Sequence, residues 1–399
     1  MAVASRPAGP DDAILGVAPA EVLLPASLEE CAEAMGALAA RRARVGFVGA
    51  RTAIELGAAP SGLDALVSTE RLARIVEHAP ADLVLTAEAG TPLARVQEVA
   101  RAHGQTLALD PPFGERATLG GLVATGAYGP RRARHGAVRD LILGVTLVRA
   151  DGVVARGGGK VVKNVAGFDL PRLVCGALGT LGLVTSATFR LHPLPEVTVT
   201  RAVRGLSAAA VVEWVQAARA AQLEPRALVA LRAGAGYDLG VTVEGFERGV
   251  AAEVERLAAL GVSDAATDLG PRHDALRAGP PLRARLASLP TRLPAVDVLV
   301  APALAALDGG GFAWYPTLGL GFLAGAVGDL GPLCAALTAA RAALAAAGGS
   351  LVLDAAPAAV RAELDPWGPP PSSLGLMTAV KRRFDPDGRL NPGRFVGGL

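Results

Sequence analysis

From Ser27 onward the chain alternates between two hydrophobic periods. Leu28, Cys31, Ala32, Met35, Leu38 and Ala39 recur at helical spacing, and Ser27 with Glu30 three residues on is the signature of a capping box. "ARVGFVG" then reads as a buried strand. Thr91 and Pro92 fit the N-cap and first position of a second helix, closed by Gly104, and "QTLALDPP" reads as a strand stopped by proline. In "GVTLVRADGVVAR" an Asp-Gly pair between two apolar runs predicts a hairpin.

The character changes after "FRLHPLPEV", which predicts a domain boundary near residue 197. Helical patterns follow over 207–222, 247–260 and 332–347, and "SLVLD" after Gly348-Gly349 reads as a strand. "DPWGPPPSS" is a stiff connector, and "LGLMTAVKRRF" a last helix before the tail. Residues 309–328 carry no charge and are long enough to span a bilayer. Their seven glycines and Pro316 instead predict strands and turns. The N-terminal twenty residues make a poor signal peptide, because the one Arg is followed by Pro, Gly and two Asp.

Composition narrows the function classes. A chain of 399 residues is long enough for two domains. A net charge of +2 provides no global field for nucleic acid. Cys31, Cys175 and Cys334 lie far apart, which excludes a self-contained Cys₄ iron–sulfur site and any disulfide framework. The five histidines (78, 103, 135, 192 and 273) form no H-x-H or H-x-x-x-H pair, so no metal site is indicated. His103 reads as a helix-end residue and His192 as structural. His135 alone falls near the glycine-rich segments described next.

Three separated segments expose backbone: "FVGARTAIELG", "TLGGLVATG" and "CGALGTLGLVT". If they converge, their N–H groups could form a nest for a pyrophosphate. "GGGKVV" at 157–162 is no P-loop, since Val161 stands where Ser or Thr must meet magnesium, and no G-x-G-x-x-G follows a first strand. Beside the second segment stand Arg131, Arg132, Arg134 and Arg139. They read mainly as solvated structure, with Asp140 pairing Arg139.

The stretch 107–145, then 157–195, resembles the FAD-binding domain of the vanillyl-alcohol oxidase / p-cresol methylhydroxylase type. Within that superfamily it is similar to the FAD-binding (E) subunit of bacterial glycolate oxidases, as is the C-terminal "DPWGPPPSSLGLMTAVKRRFDPDGRLNPGRFVGGL". The resemblance implies an α+β fold. A two-part FAD-binding domain would cover residues 20–197 after a short lead-in (1–19), and a smaller α+β cap-like domain would cover 198–399, its tail returning to the flavin domain. It also implies cofactor-contacting positions: Gly49 and Thr52 in the first loop; Gly120, Gly121, Ala124, Thr125 and Gly126 in the second; and Gly179, Leu183 and Val184 in the third. Asn391, in a tail with two turn signals, would approach the isoalloxazine ring. The first loop departs from the family's Gly-Gly-Gly-Thr, reading Gly49-Ala50-Arg51-Thr52. Its added side chains could crowd a pyrophosphate, or Arg51 could contact it.

With no His or Cys in that loop, FAD attachment would be non-covalent. The resemblance further implies a second FAD-containing, substrate-oxidising subunit and an iron–sulfur subunit as partners, in a cytoplasmic complex with no transmembrane segment in this chain. No catalytic base can be assigned. Two other readings stay open: a non-catalytic scaffold of the same complex, and a free-standing FAD-dependent oxidoreductase.

Overall fold

The structure is a computed structural model, and it describes residues 3–160, 167–262 and 264–399. Val161, which decides against a P-loop, lies outside the described residues. The chain forms two compact units. The first takes in the chain to Gly129, His135–Leu194 and Pro369–Leu399; the second is Pro195–Gly368 with Pro130–Arg134.

The first unit contains two larger sheets. In one, Glu21–Leu23, Ala65–Ser68 and Val45–Val48 run parallel, with Ser5–Pro7 antiparallel at the edge. Their Val and Leu side chains are buried, as parallel strands require. The Leu28–Ala40 helix packs there through Cys31, Met35 and Leu38. Ser27 caps it by accepting from the Glu30 amide at 3.2 Å, whereas the Glu30 carboxylate reaches one residue further back, to the Ala26 amide. The capping box is therefore only half formed.

The other sheet is antiparallel, in the order Ile75–Ala79, Val84–Glu88, Leu183–Arg190, Ile142–Val148, Val154–Gly158. The last two strands are the expected hairpin, with Gly152 at φ 83° in its turn. The Leu93–Arg101 helix has Pro92, not Thr91, at its N-cap, and the Thr91 hydroxyl donates to the Arg74 carbonyl at 3.3 Å. The expected strand after it shrinks to Gln105–Thr106, paired with His192–Pro193. Leu107 and Leu109 are buried, but they pack without a ladder.

In the second unit an eight-stranded antiparallel sheet carries helices including Ala208–Ala220, Glu247–Ala259 and Leu330–Ala346. The uncharged stretch forms the hairpin Leu307–Tyr315 / Leu320–Val327, with Trp314 fully buried. Two further helices, Leu269–Ala278 and Leu293–Ala305, were not expected; the second buries Leu293, Val296, Val300 and Ala303 at helical spacing, but Pro294 and Pro302 within it read as breakers, and the first buries the polar His273 and Arg277. Among the described residues no helix is long and apolar enough to cross a membrane.

Candidate functional site

The carboxyl end of the Val45–Val48 strand opens into the loop 49–56. Among the described residues, the amides of Ala50, Arg51, Thr52 and Ala53 have no acceptor within the protein. These residues are half-buried, and their amides are left for solvent or a ligand. Arg51 takes the left-handed conformation, φ 59°, and its Nη2 donates to the Ala13 carbonyl at 2.8 Å.

Facing this loop is the short helix Leu119–Thr125. The Gly120 amide donates to the Ala89 carbonyl at 2.7 Å, which anchors the helix to the end of the Val84–Glu88 strand. The third segment lies alongside, its Gly176 and Leu178 amides donating to the Val123 and Ala124 carbonyls, each at 2.8 Å. The tail closes the arrangement. Leu390 bridges to Val45 in parallel register, and the Asn391 side chain donates to the Leu178 carbonyl at 2.7 Å.

These contacts line two adjoining hollows, each open to solvent. Gly49, Arg51, Thr52, Gly121, Ala124, Thr125, Gly179 and Asn391 line the first. Gly120, Leu183 and Val184 line the second, together with Gly49, Gly121, Ala124 and Gly179. Gly126 lines neither; at φ 61° it is the C-cap of the Leu119–Thr125 helix.

Bare backbone beside a ligand is not the reason for every glycine. A Cβ on Gly120 would sit 2.8 Å from the Ala89 Cβ, so that glycine serves packing. On Gly179, already at φ 69°, a Cβ would come within 2.8 Å of both the Asn391 amide and the Phe47 ring. Gly121 differs, since a Cβ there would meet only the Thr118 hydroxyl, at 3.2 Å.

Sequence reasoning missed the buried cations of the tail. The Lys381 Nζ donates to the Thr180 and Leu390 carbonyls and to Asp385 Oδ2 at 2.6 Å, with burial pulling its pKa below the ordinary lysine value. Arg389 donates to the Ala43 and Ala150 carbonyls, at 3.0 and 2.6 Å. Arg394, only 4% exposed, lines the first hollow while its Nη2 donates to the Ile54 and Leu56 carbonyls at 2.8 and 2.6 Å. A charged residue inside an otherwise turn-forming "LNPGRF" was the available signal. No carboxylate lines either hollow.

The basic cluster and the histidines lie elsewhere. Arg134 pairs with Glu224. Asp140 accepts from the Ala137 amide at 2.9 Å instead of pairing with Arg139, whose carbonyl accepts from Arg172. A short-range cap satisfies that carboxylate without ordering a long side chain. The His135 and His192 rings stand 4.8 Å apart, and those of His78 and His103 4.9 Å, pairs invisible to sequence spacing. None of these four lines a hollow, and the described residues include no cluster of three metal-ligating side chains. Burial pushes the Cys175 thiol up to about 12, which leaves it a poor nucleophile. In the second unit burial lowers the pKa of His273, whose Nε2 lies 2.7 Å from the Tyr315 hydroxyl.

Unpartnered amides, a backbone position kept open at Gly121 and walls free of carboxylate suit an anionic dinucleotide. Residues 19–158 match the FAD binding domain family. It is 44% identical to glycolate oxidase subunit GlcE of Escherichia coli over 126 residues, 31% of this chain and 36% of that protein. Over 146 residues it is 37% identical to a D-lactate dehydrogenase of Archaeoglobus fulgidus (36% of this chain, 32% of that one). Glycolate oxidase subunit GlcD of Bacillus subtilis is 30% identical over 178 residues, covering 45% and 38%. The match thus spans less than two fifths of each of these relatives. In fold, the chain is similar over 94% of its length to alkyldihydroxyacetonephosphate synthase, at 17% identity, a TM-score of 0.66 and 76% coverage of that chain.

Proposed function

We propose that this chain is an FAD-dependent oxidoreductase acting as one subunit of a complex that oxidises glycolate or a related 2-hydroxy acid. The observation that carries the reading is the cleft in which three glycine-bearing segments and the tail meet around unpartnered amides. The names of the relatives supply the substrate class.

Bound FAD would supply a two-electron acceptor. The chain's own part is to hold it. The amides at 50–53 and the open backbone at Gly121 would receive the pyrophosphate, with Gly49, Arg51, Thr52, Ala124 and Thr125 around it. Gly120, Leu183 and Val184 would line the flavin side, Gly179 and Gly126 would shape the walls, and Asn391 would reach the ring. No side chain in either hollow is a suitable base for a hydroxyl proton. Substrate oxidation therefore falls to a second FAD-containing subunit, with electrons passing to an iron–sulfur subunit. In this reading the complex works in the cytoplasm, with any membrane association peripheral.

The experiment is a visible spectrum of the purified chain, followed by co-expression with the two partner subunits. Bound flavin, co-purification and glycolate-dependent dye reduction are expected together. Full turnover with no flavin in this chain would favour a scaffold role. Turnover by the chain alone would make it a free-standing enzyme.

A further inference from the structure

We propose that Lys381 is a positioning residue for the flavin, fastening from behind the two backbone segments that bring Gly179 and Asn391 to the hollows. The proposal rests on the FAD reading above and gives a buried charge of the tail a part in it.

Leu178, Gly179 and Asn391 all take left-handed conformations, at φ 49°, 69° and 45°. Leucine is costly there, and such backbone persists only where its surroundings over-determine it. Asn391 supplies one restraint. A carbonyl can only accept, so the Asn391 side-chain nitrogen must face the Leu178 oxygen, 2.7 Å away. The Asn391 Oδ1 is left as an acceptor, with no donor among the described residues.

Lys381 supplies the other restraint. Its Nζ donates to the carbonyl of Thr180, the residue after Gly179, at 2.8 Å. It donates equally to the carbonyl of Leu390, the residue before Asn391, at 2.9 Å. The third donor goes to Asp385 Oδ2 at 2.6 Å, and the same oxygen accepts from the Leu390 amide. An ammonium has three donors, so all are used, each on a fixed point. Lys381 lines neither hollow, but a separate apolar groove that it shares with Thr180, Leu376 and Val380. One short segment thus gives Leu178 and Gly179 to the hollow and Thr180 to the lysine. Neither Gly179 nor Asn391 can shift without breaking a buried, charge-assisted bond, and the wall is set before a ligand arrives.

The test reconstitutes the full chain with FAD as wild type, as Lys381→Met with Asp385→Leu, as Asn391→Ala, and with all three substitutions. Removing lysine and aspartate together strands no buried charge. FAD affinity is titrated, and the visible spectrum and reduction potential of the bound flavin are read at saturating FAD. The pair variant should bind FAD about five- to tenfold more weakly, the worth of one hydrogen bond. Its spectrum and potential should shift in the direction that Asn391→Ala shifts them. Adding Asn391→Ala to the pair variant should weaken binding by less than about twofold more, because both changes remove the same contact.

Weaker binding with a wild-type spectrum and potential would show a loosened tail and nothing more, and would overturn the proposal. So would effects of the pair and of Asn391 that multiply in full, or either variant indistinguishable from wild type. If the pair variant does not melt cooperatively, Lys381→Arg takes its place in the same cycle, since it keeps the charge but cannot aim three donors from one nitrogen. A chain that folds with neither shows Lys381 holding up the whole unit, which also overturns the proposal. A wild-type chain that binds no flavin defeats the FAD reading itself, an outcome distinct from all of these.

Discussion

At the scale of single residues, neighbouring glycines hold different offices. Gly120 lets a helix approach Ala89, and Gly121, one position on, leaves a hollow open. Gly121→Val should therefore abolish FAD uptake while the melting temperature stays within a few degrees of the wild type, since its Cβ meets only the Thr118 hydroxyl. Gly120→Ala should do the reverse and cost about 1–3 kcal/mol of stability by overpacking against Ala89. Urea unfolding and flavin fluorescence on the two variants check the contrast, and swapped phenotypes would refute it. The sequence showed both glycines as one motif. Which of them faces a neighbour and which faces space depends on where Ala89 and Thr118 arrive.

At the scale of elements, the tail is held by buried charge. Lys381 and Asp385 are both below 8% exposed and bonded to each other, and Asp385 also accepts from the Leu390 amide at 2.8 Å. Lys381→Met should cost about 3–5 kcal/mol, because it strands a buried carboxylate as well as the Thr180 and Leu390 carbonyls. Adding Asp385→Leu should recover part of that loss; a double variant destabilised by the full sum of the singles would mean the pair is not coupled. The helix carrying Lys381 was legible from its period as Leu374–Phe384, and Phe384, Leu390 and Phe395 mark the tail as one that docks. That its lysine points inward was not legible, because Lys381 belongs to a run of three cations at a helix end, which ordinarily is solvated.

At the scale of the molecule, acid sensitivity follows from carboxylates spread over both units. Asp12 beside Arg6, Asp64 beside Arg44 and Asp274 beside His273 and Arg277 are each held to about 2, against an ordinary 3.8. A depressed folded-state value means that their contribution is complete above about pH 4 and is lost as pH falls toward 2. The urea midpoint should decline gently as pH falls below about 6.5, where burial keeps His273 neutral in the fold, and drop steeply below 4; Asp64→Asn should lower the midpoint near neutrality and flatten part of the steep drop. For function, the isolated chain with FAD bound should fail to reduce a dye with glycolate or D-lactate. Acid precipitation should release all the flavin, and flavin retained on the polypeptide would contradict non-covalent attachment. A lone chain turning over glycolate at about 1 per second, an ordinary enzymatic rate, would refute the subunit reading.

By itself the sequence determined the features that depend on near neighbours. Helical period, the Ser27 cap, the Asp-Gly hairpin turn and the glycine-bearing segments are all set within a few residues, and the family resemblance carried by those segments implied the fold class. Only the tertiary structure decided what depends on distant partners. It left Gln105–Thr106 as the only paired part of the apolar run that follows, because no further strand lies alongside. It brought His135 to His192, turned Arg51 to Ala13, and carried Arg394 some 340 residues along the chain to Ile54. Contacts of that separation leave no periodic trace in the chain, since each is fixed by the packing of whole sheets rather than by the residues on either side.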